Sequence, residues 1–203
     1  MALNFCNNNS LSAITALPAS ISGGGLNLIS TQTASSSSSL SFTSGLDSTY
    51  KEYIFKFINI HPATNAAKFR LIGSTDGGSS YGVATTTTMF EALVDESGSN
   101  ATVRYEDGDD VAQSSSAFPL STGIGSDDDE SLSGFLHLFE PSNSTLVTHF
   151  LTSTQHVNGS STPYSNSARV GGYFNTASAI DAIQFSMSSG SIESGVIKMY
   201  GVS

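Results

Sequence analysis

From Gly25 onward, apolar and polar residues alternate over short stretches closed by Gly, Pro, Asn, Asp and Ser, the pattern of strands joined by turns. The clearest stretch is Tyr50–Ile60. Tyr53, Phe55 and Phe57 fall on one face; Ile54, Ile58 and Ile60 fall on the other, with Lys56 between them. Apolar residues on both faces predict a central strand covered on two sides, or one that enters an interface. His61-Pro62 is expected to end it. Leu26–Thr33, Leu40–Thr43, Lys68–Gly73, Val83–Val94 and Ala101–Glu106 read the same way, and the β-branched run Thr85–Thr88 suits a pleated surface better than a helix. The serine run Ser35–Ser39 reads equally as linker, strand or hairpin loop. Leu132–Glu140 and Leu146–Thr152 alternate well and are joined by Pro141-Ser142-Asn143-Ser144, which predicts a hairpin. Arg169–Asn175, Ile180–Met187 and Gly195–Val202 bring the total to about ten strands, with no helix and no repeat of fixed period. The expectation is an all-β fold: one antiparallel β-sandwich over residues 26–203, with a jelly roll as its topology.

Residues 1–25 follow no period. Asn7-Asn8-Asn9, Pro18 and Gly23-Gly24-Gly25 interrupt a series of apolar positions at Leu3, Phe5, Leu11, Ile14, Leu17 and Ile21. Such a segment cannot bury one face within its own helix or strand, so it reads either as a frayed end or as an arm that docks on a neighbouring chain.

Composition narrows the class. Of 203 residues only 12% are charged and 38% are hydrophobic, while Ser, Thr and Gly supply nearly four in ten. That stock argues against both a helical bundle and a charged disordered chain. The net charge is −10, and the seven Lys and Arg are scattered singly. No basic stripe exists to neutralise phosphates, so neither nucleic acid nor an anionic membrane surface is an expected partner. No apolar run reaches the ~20 residues of a spanning helix, and the N-terminal residues lack the charged and apolar regions of a secretory signal. Cys6 is the single cysteine, which excludes an intramolecular disulfide framework and fits synthesis in a reducing cytoplasm.

Candidate chemistry is sparse. Gly78-Ser79-Ser80-Tyr81-Gly82 matches the nucleophile-elbow pattern at Ser80, but a Thr-rich strand follows where that motif needs a helix. His61, His137, His149 and His156 have no metal-ligand spacing, although His137 and His149 lie in adjacent predicted strands and could pair across them. The acidic clusters Glu106–Asp110 and Asp127–Glu130 do not follow an EF-hand spacing and sit in turns, where solvated loops are the expectation. Four Asn-x-Ser/Thr triplets, beginning at Asn8, Asn100, Asn143 and Asn158, arise by chance in a chain so rich in Ser and Thr. No catalytic residue, metal ligand or cofactor is nominated. Sugar platforms favour Trp, which is absent, leaving Tyr81, Tyr105, Tyr164 and Tyr173 as candidate glycan contacts.

Two stretches carry a resemblance. One runs from Leu11-Ser-Ala-Ile-Thr-Ala-Leu-Pro through Leu28-Ile-Ser-Thr-Gln-Thr-Ala34 and Phe42-Thr-Ser-Gly-Leu-Asp-Ser-Thr-Tyr50 to Tyr53-Ile-Phe-Lys-Phe57. The other begins Gly172-Tyr-Phe-Asn-Thr176, continues Ala179-Ile-Asp-Ala-Ile-Gln-Phe-Ser-Met187 and ends Ser194-Gly-Val-Ile-Lys-Met-Tyr-Gly201. Together they resemble a family of small virion structural proteins of marine tailed phages, including phages of cyanobacteria. The ending is also similar to the last strands of β-sandwich domains in phage fibre-like proteins. Residues 74–130 carry none of the likeness. The resemblance implies a non-enzymatic bacteriophage protein of the particle surface, in capsid decoration or in a tail or fibre. Its expected partners are other virion proteins and further copies of itself, contacted through residues 1–25. The alternative is a receptor- or glycan-binding module recognising a host surface glycan.

Overall fold

The computed structural model describes residues 25–203, all in strands and connecting loops. The strands are β1 (Leu26–Thr33), β2 (Ser39–Phe42), β3 (Glu52–Pro62), β4 (Phe69–Ser74), β5 (Thr85–Asp95) and β6 (Ala101–Tyr105), followed by β7 (Phe118–Pro119), β8 (Leu132–Phe139), β9 (His149–Val157), β10 (Tyr164–Phe174), β11 (Ala182–Met187) and β12 (Ile192–Val202). They form an eight-stranded sheet, β1-β12-β3-β8-β9-β10-β5-β6, packed on a four-stranded sheet, β2-β11-β4-β7. Every pairing is antiparallel. The fold is therefore an antiparallel β-sandwich.

Chain pairs cross together from one sheet to the other. β1 and β2 pair with β12 and β11, and β3 and β4 pair with the same two strands on their other side. That paired wrapping is consistent with a jelly roll, although the strands divide eight and four. The serine run makes the first crossing and is no loose linker: the amides of Ala34, Ser36 and Ser37 donate to the carbonyls of Gly195, Glu193 and Ile192 at 2.8–2.9 Å.

Alternation puts Tyr53, Phe55 and Phe57 of β3 inside, against Phe42, Phe69 and Phe185 of the small sheet, while no second layer of the described residues covers the face with Ile54 and Ile58, and Ile58 is exposed. Phe69 and Phe185 stack at 5.5 Å, and Phe57 meets both edge-on at 5.1 and 5.3 Å. A second aromatic group, Phe118, Phe150 and Phe174, fills the space under β9 and β10. Each such ring contributes about 1.5–3 kcal/mol by burial.

Several expectations need correction. Ile60 is fully buried, on the same side as Phe57, because β3 bulges at Ile58–Asn59 and the register shifts there against both β8 and β12. Asn59 takes a positive φ of 50° at that point, and one extra residue turns the next side chain to the other face. His61-Pro62 ends β3 as expected, but as its last two residues: Pro62 still faces Ile192, a terminal position where no amide donor is required. The described residues form twelve strands; β7, two residues long, is too short to carry a period. The hairpin β8–β9 forms, but His137 faces Leu151 across it and not His149.

Candidate functional site: a polar cleft beside the edge of the wide sheet

The wide sheet extends past the narrow one at the end formed by β9, β10, β5 and β6. Core-facing positions there are polar: Thr87, Glu91 and Asp95 on β5, Thr152, Thr154 and His156 on β9, and Asn166 on β10, all buried. The segment Leu120–Ile124 closes over them. It is held by Leu120 N on Phe69 O at 2.7 Å, Ile124 N on Ala67 O at 2.9 Å, and the Thr154 hydroxyl donating to Leu120 O at 2.9 Å.

These side chains make one network around a buried carboxylate. Glu91 stands opposite Arg104 in the β5–β6 ladder, and Arg104 Nη2 donates to Glu91 Oε1 at 2.7 Å. Thr122 Oγ1 and Asn166 Nδ2 donate to Glu91 Oε2 at 2.9 and 3.1 Å. The Thr122 hydroxyl has one proton, already given to the carboxylate, so its contact with His156 Nε2 at 3.1 Å requires His156 to be the donor. His156 thus carries a proton on Nε2, and burial keeps the ring neutral. Its Nδ1 then offers only a lone pair, and that atom is buried without a partner. Burial drives the His156 pKa down to about 4, against the opposing pull of Glu91.

In front of this network lies an open cleft of about 740 Å³. Arg104, Thr122 and Asn166 reach it from the network, Tyr164 and Leu93 add apolar surface, and the β5–β6 and β9–β10 turns form its rims. Both rims are tied. Asp95 accepts from Ser97 Oγ and the Ser99 amide at 2.9 Å and from Asn100 Nδ2 at 2.6 Å; the Asn100 bond is the chief cause holding its carboxyl below the ordinary range. Asn158 Oδ1 accepts from the Tyr164 amide at 3.0 Å, and Asn65 Nδ2 donates to Gly159 O at 2.9 Å.

The outer face of the same sheet is unusually apolar. Phe90 and Tyr105 stand side by side, as do Ala92 and Val103, and then Val94 and Ala101. Val103 is 72% exposed, and Tyr105 and Phe90 are about half exposed. Leu28, Ile58, Phe135 and Leu151 are further exposed apolar residues on that face. Among the described residues β6 pairs only with β5, so its other edge presents unpaired backbone groups.

The four candidate tyrosines go to four places. Tyr164 lines the cleft, Tyr105 lies on the outer face with its hydroxyl on Asp110, Tyr173 stands beside His149 with rings 5.9 Å apart, and Tyr81 lines a small hollow with Thr75 and Asn175. They make no common platform. The arm positions Leu3, Phe5, Leu11, Ile14, Leu17 and Ile21 lie outside the described residues. Ser80 sits in a turn where its hydroxyl donates to Asp76 Oδ2 at 2.5 Å, which with further turn bonds brings the Asp76 pKa down to about 2; β5 follows, and no helix. The acidic loops are not simply solvated: Asp109 is buried on Lys68, and Glu130 is buried, accepting from the Asp127 amide at 2.9 Å. Glu91, Arg104, Thr122, His156 and Asn166 escaped sequence reasoning. A partial signal is parity: in the folded strands His156 shares the alternation of buried Phe150, and Glu91 that of buried Met89. Comparison with family models, curated proteins and solved structures finds no match to this chain.

Proposed function

We propose that this protein is a non-catalytic structural component of a bacteriophage particle surface, assembling with further copies of itself through the β5–β6 edge of its wide sheet. The observation that carries the reading is the exposed apolar strip Phe90, Val94, Val103 and Tyr105 beside an open strand edge. Water is a poor partner for that strip, and a second copy is the occupant that suits it best. Two antiparallel β6 strands related by a two-fold axis through Val103 would complete each other's backbone hydrogen bonds and set the two strips side by side, burying the flanks of Val103 and Tyr105 along the seam. The stretches resembling phage virion proteins, which come together in the fold as the neighbours β1-β12-β3 and β2-β11, support the virion part of this reading; β5 and β6 lie outside them. In this account the protein is made in the host bacterial cytoplasm and ends in the virion, with residues 1–25 contacting another particle protein.

Sedimentation of the full-length chain tests the edge. The expected result is an oligomer that dissociates in Val103→Lys and in Val103→Pro with unchanged melting of the domain. A monomeric full-length chain would overturn the edge, and absence of the protein from purified phage particles would overturn the virion role.

A further inference from the structure

We infer that the cleft between the β5–β6 and β9–β10 turns, on the face of β5 and β6 opposite the apolar strip, is a binding site for a short neutral saccharide. Its volume of about 740 Å³ lies within the ~300–1,000 Å³ usual for small-ligand sites. Its chemistry excludes the other ligand classes in turn. Arg104 is the cation of the cleft, but its guanidinium is shared between Glu91 and Glu106, and Asp95 lies behind the rim. An anion would therefore meet one compensated positive charge and several negative ones. No three His, Cys, Asp or Glu side chains gather to hold a metal among the described residues. A purely apolar ligand would cover the remaining N–H groups of Arg104 without giving them a partner, at a cost of about 1–3 kcal/mol for a group that becomes buried.

A neutral polyol suits the groups that remain. Asn166, which lines the cleft, is 98% buried; its Nδ2 is committed to Glu91 and Thr122, while its Oδ1 is buried without a partner. Arg104 uses Nε and Nη2 on its two carboxylates and retains further N–H groups for a sugar hydroxyl. Tyr164 and Leu93 supply the apolar wall on which the C–H face of a pyranose packs. The floor is preorganised, because Glu91 holds Arg104, Thr122 and Asn166 in place before any ligand arrives.

The test is a titration of the full-length protein, followed by amide and arginine Nε nuclear magnetic resonance, with galactose, glucose, mannose, N-acetylglucosamine and lactose at millimolar concentration, and with inorganic phosphate as the anionic comparison. At least one sugar is expected to shift the resonances of Arg104, Thr122, Tyr164 and Asn166 together. Tyr164→Ala should weaken that sugar roughly tenfold, about 1.4 kcal/mol. Thr102→Lys, at an exposed position on the cleft wall, should abolish binding with melting unchanged, so the inference stays testable if the first variant folds poorly. The inference is overturned if none of the five sugars moves these resonances, if phosphate moves them more strongly than any sugar, or if the shifts survive Thr102→Lys. Monomeric Val103→Lys is expected to bind the sugar as the parent does, which separates failure of the assembly reading from failure of this one.

Discussion

At the scale of single residues, the buried polar network has one consequence that can be measured without any ligand. His156 is neutral in the folded protein, with its pKa lowered by burial to about 4 from the ordinary 6.5. Between those values only the unfolded chain takes up the additional proton, so stability is complete above about pH 6.5 and falls as the pH drops toward 4. The largest loss from this one group is about 3 kcal/mol, the free energy of a shift of that size. Urea denaturation across this range is expected to show the decline in the parent and a flatter profile in His156→Gln. The lowered carboxyls act elsewhere: Asp76, whose pKa of about 2 is set first by its bond from Ser80, loses its contribution only as the pH falls from the ordinary carboxylate range toward that value. Equal slopes for parent and variant would move the acid sensitivity from His156 to the carboxylates.

At the scale of elements, β3 and β12 show how one irregularity reorganises a face. Gly195 sits at the shift in β12 with φ of +120°, and a Cβ there would come 2.6 Å from Asn59 O. Backbone strain and close approach together make Gly195→Ala expected to cost about 2–3 kcal/mol. Gly77→Ala is the comparison: its φ of +69° is also unfavourable, but open space surrounds it, and about 1 kcal/mol is expected. Thermal melting of both variants decides the matter. A Gly195→Ala protein no less stable than Gly77→Ala would mean that the close approach to Asn59 adds nothing. The strands themselves were legible because period-two alternation is a local property: β1 has the bounds expected of it, and β5 and β8 differ by a residue or two. The bulge was not, since Ile54-Lys56-Ile58-Ile60 continues an unbroken alternation and only pairing with β8 and β12 inserts the extra residue.

At the scale of the whole molecule, the residues from Gly25 onward contain both sheets and the core between them, including the aromatic groups around Phe185 and Phe150. Deleting residues 1–22 is therefore expected to leave the melting temperature unchanged. Under the proposed function, the same deletion removes the protein from the particle. Melting and incorporation of the truncated and full-length chains check both halves. Unfolding of the truncated chain would assign the arm to the core, and normal incorporation would leave the edge of β6 as the whole of the assembly contact.

The sequence by itself determined that this is an all-β sandwich, because alternation, turn residues and the shortage of helix formers all act between near neighbours in the chain. It also placed Tyr53, Phe55 and Phe57 together on one face of a central strand. The division into eight and four strands, the turning of Ile60 into the core and the separation of the four tyrosines were decided by the tertiary structure. So was the cleft: Glu91, Arg104, Thr122, His156 and Asn166 come from β5, β6, β9, β10 and a connecting loop. Glu91 and Asn166 alone are 75 positions apart. Nothing in their spacing links them. Only sheet pairing brought a proton donor and a cation to the carboxylate of Glu91, and without those partners a charge at that position would not remain buried.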